Sequence, residues 1–191
     1  AASNVIGAVL TGGASRRMGS NKALVEVDGV AMGSRVARAL RDAGCSPVLA
    51  YGGDPDVLAP LGLDVRPDRY PATGPLGGVL GLLESLAGEG PDAVVVVAAC
   101  DLPSLRGDVL HALIDALRAD PAVEVAVART SQIEPACATW RVSAARRLHQ
   151  LYASGERALH AAIGQLRSVE IQVDPAALRN INTPEELGRY P

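Results

Sequence analysis

Residues 92–100, DAVVVVAAC, are apolar at every position after Asp92, and this stretch decides how the fold is read. Residues 94–97 are four consecutive valines. They lack the alternation of apolar and polar residues that is typical of a half-buried strand. A run of this kind is typical of a strand covered on both faces in the middle of a parallel sheet. We therefore interpret residues 92–100 as a central strand.

Strands and helices alternate on both sides of this run. Apolar and β-branched runs predict further strands at residues 5–10, 47–51, 62–68, 123–128, 135–140 and 169–173. Helical periodicity predicts helices at residues 34–43 (capped by Ser34), 76–87, 107–120, 142–155, 156–166 and 183–190. The alternation predicts one α/β domain over residues 1–191 with a mostly parallel sheet. In such sheets, ligands bind beyond the carboxyl ends of the strands.

Charge and composition exclude several classes of protein. The formal net charge is −3, and no apolar run approaches the roughly 20 residues of a bilayer span, so we expect neither nucleic-acid nor membrane binding. No basic segment followed by an apolar one opens the sequence, so no secretory leader is predicted. Cys45, Cys100 and Cys137 lie far apart without a CxxC motif, which favours buried thiols in a reducing cytoplasm. The three histidines lack partners at metal-ligand spacing, and we interpret them as surface or packing residues.

The loop after the first strand, residues 10–24 with the sequence LTGGASRRMGSNKAL, has the composition of a phosphate-binding turn. Gly12 and Gly13 allow backbone N–H groups to approach an anion, and Arg17 adds a fixed positive charge. Lys22 is the only lysine of the chain, since 17 of its 18 basic residues are arginine. Lysine is a flexible point cation that suits phosphate. Neither the GK[ST] ending of a Walker loop nor a GxGxxG fingerprint is present.

Two further loops follow predicted strands at the same edge. Residues 66–78, RPDRYPATGPLGG, contain Asp68, three prolines and three glycines, and such a segment can lie against a flat ring or a ribose. Asp101 follows the central strand, where a carboxylate is well placed to hold Mg²⁺ together with phosphate oxygens. The three loops together predict chemistry on a nucleoside triphosphate.

The motifs LTGGASRRMGSNKAL, GPLGG, ACDLP and NINTPEEL, in this order, resemble the successive signatures of the molybdenum cofactor guanylyltransferases, the MobA type of nucleotidyltransferase. The resemblance runs over residues 5–187. It implies a Rossmann-like three-layer sandwich with a mixed, mostly parallel sheet, similar to the nucleotide-diphospho-sugar transferases. It also implies transfer of GMP from GTP to the phosphate of molybdopterin, with Mg²⁺ as cofactor and release of pyrophosphate.

The resemblance implies three catalytic residues. Arg17 and Lys22 would bind the triphosphate, with Lys22 stabilising charge at the α-phosphate and on the leaving pyrophosphate. Asp101 would be the Mg²⁺ ligand. The attacking phosphate oxygen of molybdopterin is already an anion, so the mechanism requires no strong general base.

The resemblance also implies a set of binding residues around the two substrates. The nucleotide would lie against the glycine turn, the acidic residue before GPLGG and the start of the next helix, and the pterin would lie near paired asparagines. The set consists of Leu10, Thr11, Gly12, Gly13, Lys22, Asp68, Gly74, Leu76, Gly78, Asp101, Asn180 and Asn182. Asn182 can also be interpreted as an N-cap before TPEE.

The sequence departs from the family pattern at two positions and leaves two alternatives open. Thr11 stands where the family usually has alanine, and Glu134, in EPACATW, replaces a common histidine on the molybdopterin side. One alternative is a molybdopterin cytidylyltransferase that uses CTP, although its relatives usually show LAAG and lack GPLGG. The other is a non-catalytic carrier of nucleotide and pterin, against which Lys22 and Asp101 argue. Molybdoenzymes or their chaperones are further expected partners.

Overall fold

The computed structural model describes residues 4–12, 21–182 and 184–187. Its strands are β1 (Val5–Leu10), β2 (Glu26–Val27), β3 (Val30–Ala31), β4 (Val48–Tyr51), β5 (Asp64–Arg66), β6 (Val94–Ala99), β7 (Val125–Arg129), β8 (Ile133–Arg141) and β9 (Ser168–Gln172). Its α-helices are α1 (Met32–Asp42), α2 (Pro55–Leu58), α3 (Gly74–Ser85), α4 (Gly107–Ala119), α5 (Ala145–Ala153), α6 (Leu159–Ile163) and α7 (Pro184–Leu187). Within these described ranges, no helix combines the length and the apolar character needed to cross a bilayer.

Seven of the strands build one sheet in the order β5-β4-β1-β6-β8-β7-β9. Neighbours among β5, β4, β1 and β6 run parallel, as do β7 and β9. Among the described strands of this sheet, β8 alone runs against its neighbours. The sheet is therefore mixed and mostly parallel, as predicted. The carboxyl ends of β1, β4, β5 and β6 meet at one edge.

β6 confirms the interpretation of the valine run as a central strand. Val94 and Val96 pack into a core with α1 and α4, whereas Val95 and Val97 pack into a second core with α3 and α5. All four side chains are at most 1% exposed. Burial of one valine side chain stabilises a fold by about 1.5–3 kcal/mol, so this strand holds the two helical layers to the sheet.

α1 begins two residues before the predicted start, and the predicted Ser34 cap is wrong. Ala31 occupies the N-cap position and makes no side-chain hydrogen bond there. The start is set by Met32, whose N–H donates to the Val25 carbonyl at 2.8 Å and whose side chain is fully buried. The hairpin of β2 and β3, which turns at residues 28–29 with positive φ at both, brings the chain to this point.

The helices after β8 are shorter than predicted. The predicted helix over residues 142–155 opens with a 3-10 turn, Val142–Ala144, before α5 begins. The predicted helix over 156–166 is reduced to α6. Residues 156–158, at the start of the predicted helix, are not helical. There Glu156 Oε1 accepts hydrogen bonds from the N–H groups of Arg157 and Ala158.

Candidate active site

The turn after β1 is fastened to the end of β4. The N–H groups of Thr11 and Gly12 both donate to the Tyr51 carbonyl, at 3.0 and 3.2 Å. The Thr11 hydroxyl donates to the Gly52 carbonyl at 2.6 Å. The N–H groups of Thr11 and Gly12 are therefore already used in hydrogen bonds to the end of β4. The nucleotide-binding role predicted for Leu10, Thr11 and Gly12 has to rest on other backbone groups of the turn.

Gly12 and Gly52 lie in close backbone contact. A Cβ added to Gly52 would stand 2.7 Å from the Cα of Gly12 and 2.9 Å from its N. Gly52 also has a φ of +85°, a left-handed conformation that favours glycine. Sequence analysis missed Gly52, although YGGD follows the predicted strand at 47–51 and marks a turn. The predicted site residues Gly13 and Arg17 lie outside the described residues.

Lys22 lies between two oxygen acceptors from distant parts of the chain. Its Nζ donates to Asp101 Oδ2 at 3.2 Å and to Asn182 Oδ1 at 2.6 Å. Lys22 begins a 3-10 turn, Lys22–Leu24, which Asn21 caps by accepting from the Ala23 N–H. The side chains of Lys22 and Asp101 are 20% and 17% exposed. The structure thus brings together three predicted site residues, which we call the Lys22 cluster (Lys22, Asp101 and Asn182).

The segment that carries Asn182 is fixed by backbone hydrogen bonds. The Ile181 N–H donates to the Asp101 carbonyl at 3.1 Å, and the Asn182 N–H donates to Glu186 Oε2 at 2.6 Å. The Ile181 side chain is fully buried. The amide oxygen of Asn182 is therefore held towards Lys22. This contact is different from the N-cap alternative that the sequence leaves open.

Asp101, the predicted Mg²⁺ ligand, presents a carboxylate at this edge of the sheet. Mg²⁺ prefers one or two carboxylates, completed by phosphate oxygens and water. In the part of the chain that the structure describes, no three Asp, Glu, His or Cys side chains group together in a way that could hold a metal ion. The residues present therefore fit an ion that arrives with a triphosphate, and they do not fit a closed protein cage.

The loop between β5 and α3, together with the start of α3, carries the other predicted nucleotide contacts. Asp68 follows β5 and accepts a hydrogen bond from the Tyr70 N–H at 2.9 Å, which fixes the turn. Gly74 begins α3 with a φ of +84°. A Cβ added to Gly78 would meet nothing within 4 Å, so this side of α3 faces open space. The side chain of Leu76 is fully buried and packs in the core.

Glu84, which sequence analysis missed, anchors this loop to two helices. Its Oε2 accepts from the Tyr70 hydroxyl at 2.8 Å and lies 3.4 Å from Arg69 Nε. Its Oε1 lies 2.9 Å from His149 Nδ1 of α5. The hydrogen bond to Glu84 raises the pKa of Tyr70. Glu84 therefore joins α3, α5 and the loop that carries Asp68.

A recess of about 170 Å³ lies beside the Lys22 cluster and shares Asp101 with it. Its other polar lining groups are Glu134 and Asn180, and the remainder is mainly apolar, from Leu102, Ala136 and Leu178. The predicted pterin-side residue Asn180 thus lies in this recess, whereas Asn182 contacts Lys22. The recess therefore adjoins both Asp101 and Glu134.

The cysteines are buried thiols, as predicted. Burial raises the pKa of Cys100 to about 12, and the negative charge of Asp101 adds to the effect. Burial and the charge of Glu134 raise the pKa of Cys137 to about 12 as well. A thiol with such a pKa stays protonated at neutral pH, and the thiolate is the form that acts as nucleophile or metal ligand. We therefore assign no nucleophilic or metal-binding role to Cys137, which lines the recess, or to Cys100, which precedes Asp101.

Comparison with known proteins finds relatives over nearly the whole chain. The MobA-like NTP transferase domain matches residues 7–169. Molybdenum cofactor guanylyltransferases of Rhodobacter capsulatus and Burkholderia vietnamiensis are 35% and 36% identical, over 97% and 96% of this chain and 94% of each relative. The crystal structure of molybdopterin-guanine dinucleotide biosynthesis protein A from Archaeoglobus fulgidus is 24% identical, covers 96% of this chain and 95% of that chain, and has a TM-score of 0.75. The relatives confirm the resemblance of the motifs, and the structural likeness confirms the predicted fold.

Proposed function

Because this chain belongs to the family of MobA-like NTP transferases, we propose that it transfers GMP from GTP to the phosphate of molybdopterin, as a molybdenum cofactor guanylyltransferase. Two relatives with that name are 35% and 36% identical over nearly their full length. The Lys22 cluster adds support from the chemistry of the site, because it holds a cation and a carboxylate at the carboxyl edge of the sheet.

In this reaction an oxygen of the molybdopterin phosphate attacks the α-phosphorus of GTP. A bond forms between that oxygen and the phosphorus. The bond from the α-phosphorus to the oxygen that bridges to the β-phosphate breaks, and pyrophosphate leaves with the electron pair. Since the attacking oxygen is already an anion, the protein supplies position and positive charge instead of a strong base.

The observation that carries the proposal is the position of the Lys22 ammonium. It has three N–H donors, and two of them are directed at Asp101 and Asn182. Among the described residues no third acceptor contacts this ammonium, so one donor is left for a phosphate oxygen. Because the ammonium is held before substrate binds, little reorganisation is needed when charge develops on the triphosphate.

Mg²⁺ supplies further positive charge to the triphosphate when it is bound. Asp101 would hold it, with GTP phosphates and water as the other ligands. Asp101 Oδ2 faces Lys22, and Oδ1 has no hydrogen-bond partner among the described residues.

We further propose that the guanosine lies against Asp68 in the loop after β5 and against the start of α3, which carries Gly74, Leu76 and Gly78. The open space next to Gly78 and the fixed turn at Asp68 support this position. Gly13 and Arg17 remain proposed phosphate contacts. The three free, buried cysteines support a reducing cytoplasm as the place of action.

The test of the mechanism is pyrophosphate release from GTP by purified protein with molybdopterin and Mg²⁺. Lys22→Ala should lower kcat on the order of 10²-fold, as expected when one preorganised charge donor is removed. Arg38→Ala removes an exposed cation from α1 and is the matched control, with wild-type turnover expected. Near wild-type turnover of Lys22→Ala would contradict the mechanism.

Isothermal titration with GTP and CTP, each with and without Mg²⁺, tests the base and the metal. We expect binding that selects GTP and that Mg²⁺ strengthens. A preference for CTP would assign the cytidylyltransferase reaction instead. Tight pterin binding without pyrophosphate release would assign a carrier.

A further inference from the structure

Glu134 reaches the recess beside Asp101 because β8 is irregular at this point. Ala128 of β7 pairs with Glu134, whereas its neighbour Val127 pairs with Ala138. Residues 135–137 of β8 therefore bulge out of the ladder with β7. Bulges of this kind re-aim side chains and are frequent beside active sites.

One oxygen of the Glu134 carboxylate is used inside the protein and the other is not. Oε1 accepts a hydrogen bond from the Thr130 hydroxyl at 2.5 Å, which fixes the side chain. Among the described residues, no group donates a hydrogen bond to Oε2. An ionised carboxylate only accepts hydrogen bonds, so Glu134 can still accept from a donor on a ligand in the recess that it lines.

The charges that line the recess decide which part of a substrate suits it. Among the described residues that line the recess, Asp101 and Glu134 are the two with ionisable carboxyl groups, and none is basic. Like charges would disfavour a phosphate here unless a cation neutralised it. N–H donors on a neutral ring would be favoured, and Leu102 and Leu178 offer apolar contacts to part of such a ring.

The size of the recess also favours a ring system. A cavity that holds a single water needs only about 10–15 Å³, and the recess has about 170 Å³. The phosphate end of the acceptor belongs at the Asp101 side of the recess, where the Lys22 ammonium lies and where Mg²⁺ is proposed to bind. The ring end is then the part that is left for Glu134.

We infer that Glu134 recognises the ring of the second substrate, with its carboxylate accepting from the 2-amino group and the N3–H of a pterin. These two donors lie side by side on the pyrimidinone edge of the ring. Oε2 can accept from one of them, and Oε1 can accept from the other through the lone pair that its hydrogen bond from Thr130 leaves free. The inference rests on the proposed function, since it takes the acceptor to be a pterin. It makes Glu134 a specificity-determining residue of the acceptor site.

The inference is tested by a pair of ring probes that differ at one position. In 6-hydroxymethylpterin, position 2 carries the amino donor, and in 6-hydroxymethyllumazine it carries a carbonyl oxygen, which a carboxylate repels. The dissociation constants of both probes are measured by fluorescence titration with saturating GTP and Mg²⁺. The proteins are wild type, Glu134→Gln and the control Glu89→Gln, which changes an exposed residue in the 3-10 turn after α3.

Wild type and Glu89→Gln should bind the pterin on the order of tenfold or more tightly than the lumazine, the discrimination of a good bidentate pair. In Glu134→Gln this ratio should fall to about one, because an amide presents a donor as well as an acceptor. Equal binding of both probes by wild type, an unchanged ratio in Glu134→Gln, or no binding of either probe would overturn the inference.

The readout separates the inference from the proposed function. If wild type transfers GMP to molybdopterin but Glu134→Gln keeps the pterin preference, the role of Glu134 is wrong and the function stands. If wild type prefers the pterin through Glu134 but releases no pyrophosphate, the proposed transfer is wrong and the ring recognition stands. Circular dichroism of both variants checks that the fold is kept.

Discussion

Replacement of Gly52 by alanine tests whether the turn after β1 is set by backbone contact with the end of β4. The added Cβ would stand 2.7 Å from the Cα of Gly12 and 2.9 Å from its N. Both are backbone atoms, so rotation of a side chain cannot relieve the contact. The substitution therefore has to move either Gly52 or the turn that carries Gly12.

The size of the effect follows from comparison with Gly62. Gly62 also has a positive φ, +63°, but a Cβ added there would meet nothing within 4 Å. The left-handed conformation costs an alanine about 1–2 kcal/mol at either position. The steric contact adds about 1–3 kcal/mol at Gly52 alone. We expect Gly62→Ala to lower the free energy of unfolding by about 1–2 kcal/mol and Gly52→Ala by about 2–5 kcal/mol.

Urea unfolding measures both free energies, and titration with GTP and Mg²⁺ measures the effect on the site. Gly52→Ala should weaken GTP binding on the order of tenfold or more, because the displaced turn leads into the proposed phosphate loop. Gly62→Ala should bind GTP like wild type. Equal destabilisation by the two substitutions, or equal GTP affinity of the two variants, would refute the reasoning.

Two further predictions concern Glu84 and Cys45. Glu84→Ala should lower the free energy of unfolding by about 1–3 kcal/mol, since Tyr70 and Arg69 lose their acceptor, and should raise the KM for GTP severalfold, whereas Glu84→Gln should do less of both. Urea unfolding and initial rates measure these effects, and an alanine variant as stable as wild type would refute the anchoring. Burial raises the pKa of Cys45 from 9.0 to about 12. The contribution of the protonated thiol to the stability of the folded state is therefore complete below pH 9 and is lost as the pH rises towards 12, because the unfolded chain loses this proton first. Between pH 8 and 10 this loss is about 1 kcal/mol. Wild type should therefore lose about 1 kcal/mol more free energy of unfolding between pH 8 and pH 10 than Cys45→Ala does. Urea unfolding at both pH values measures this difference, and an equal loss in the two proteins would contradict the prediction.

The sheet could be predicted because the central strand has a distinctive composition. A strand that is apolar at every position has to be covered on both of its faces, and β6 indeed lies between two helical layers. The hairpin of β2 and β3 escaped prediction because strands of two residues are too short to show a period of two. Its one local signal is the Asp-Gly pair at 28–29 between valines. The helix over 156–166 was predicted too long because the side chain of Glu156 competes for backbone N–H groups.

A site residue could be predicted where the sequence of its own loop indicates its chemical role. Lys22 and Asp101 each follow a strand and could be named from their loops, and the sheet order then brings them within 3.2 Å. The contact of Asn182 with Lys22 joins residues 160 positions apart, and no local pattern encodes it. The contact of Glu84 with His149 depends on how α3 packs against α5. Sequence analysis read His149 as a surface or packing residue, and its side chain is indeed 57% exposed.

The Lys22 cluster also explains why a chain rich in arginine keeps a lysine at this place. Asp101 and Asn182 come from different segments, yet both accept from one ammonium nitrogen. A compact ammonium can serve two such acceptors and still direct a third donor elsewhere, whereas the planar fork of arginine suits two acceptors that lie side by side. The Ile181 N–H ties the Asn182 segment to the Asp101 carbonyl, so the acceptors of Lys22 are held by the same backbone contact. The positive charge is therefore positioned by the folded chain itself, which is the condition under which a fixed charge lowers a reaction barrier most.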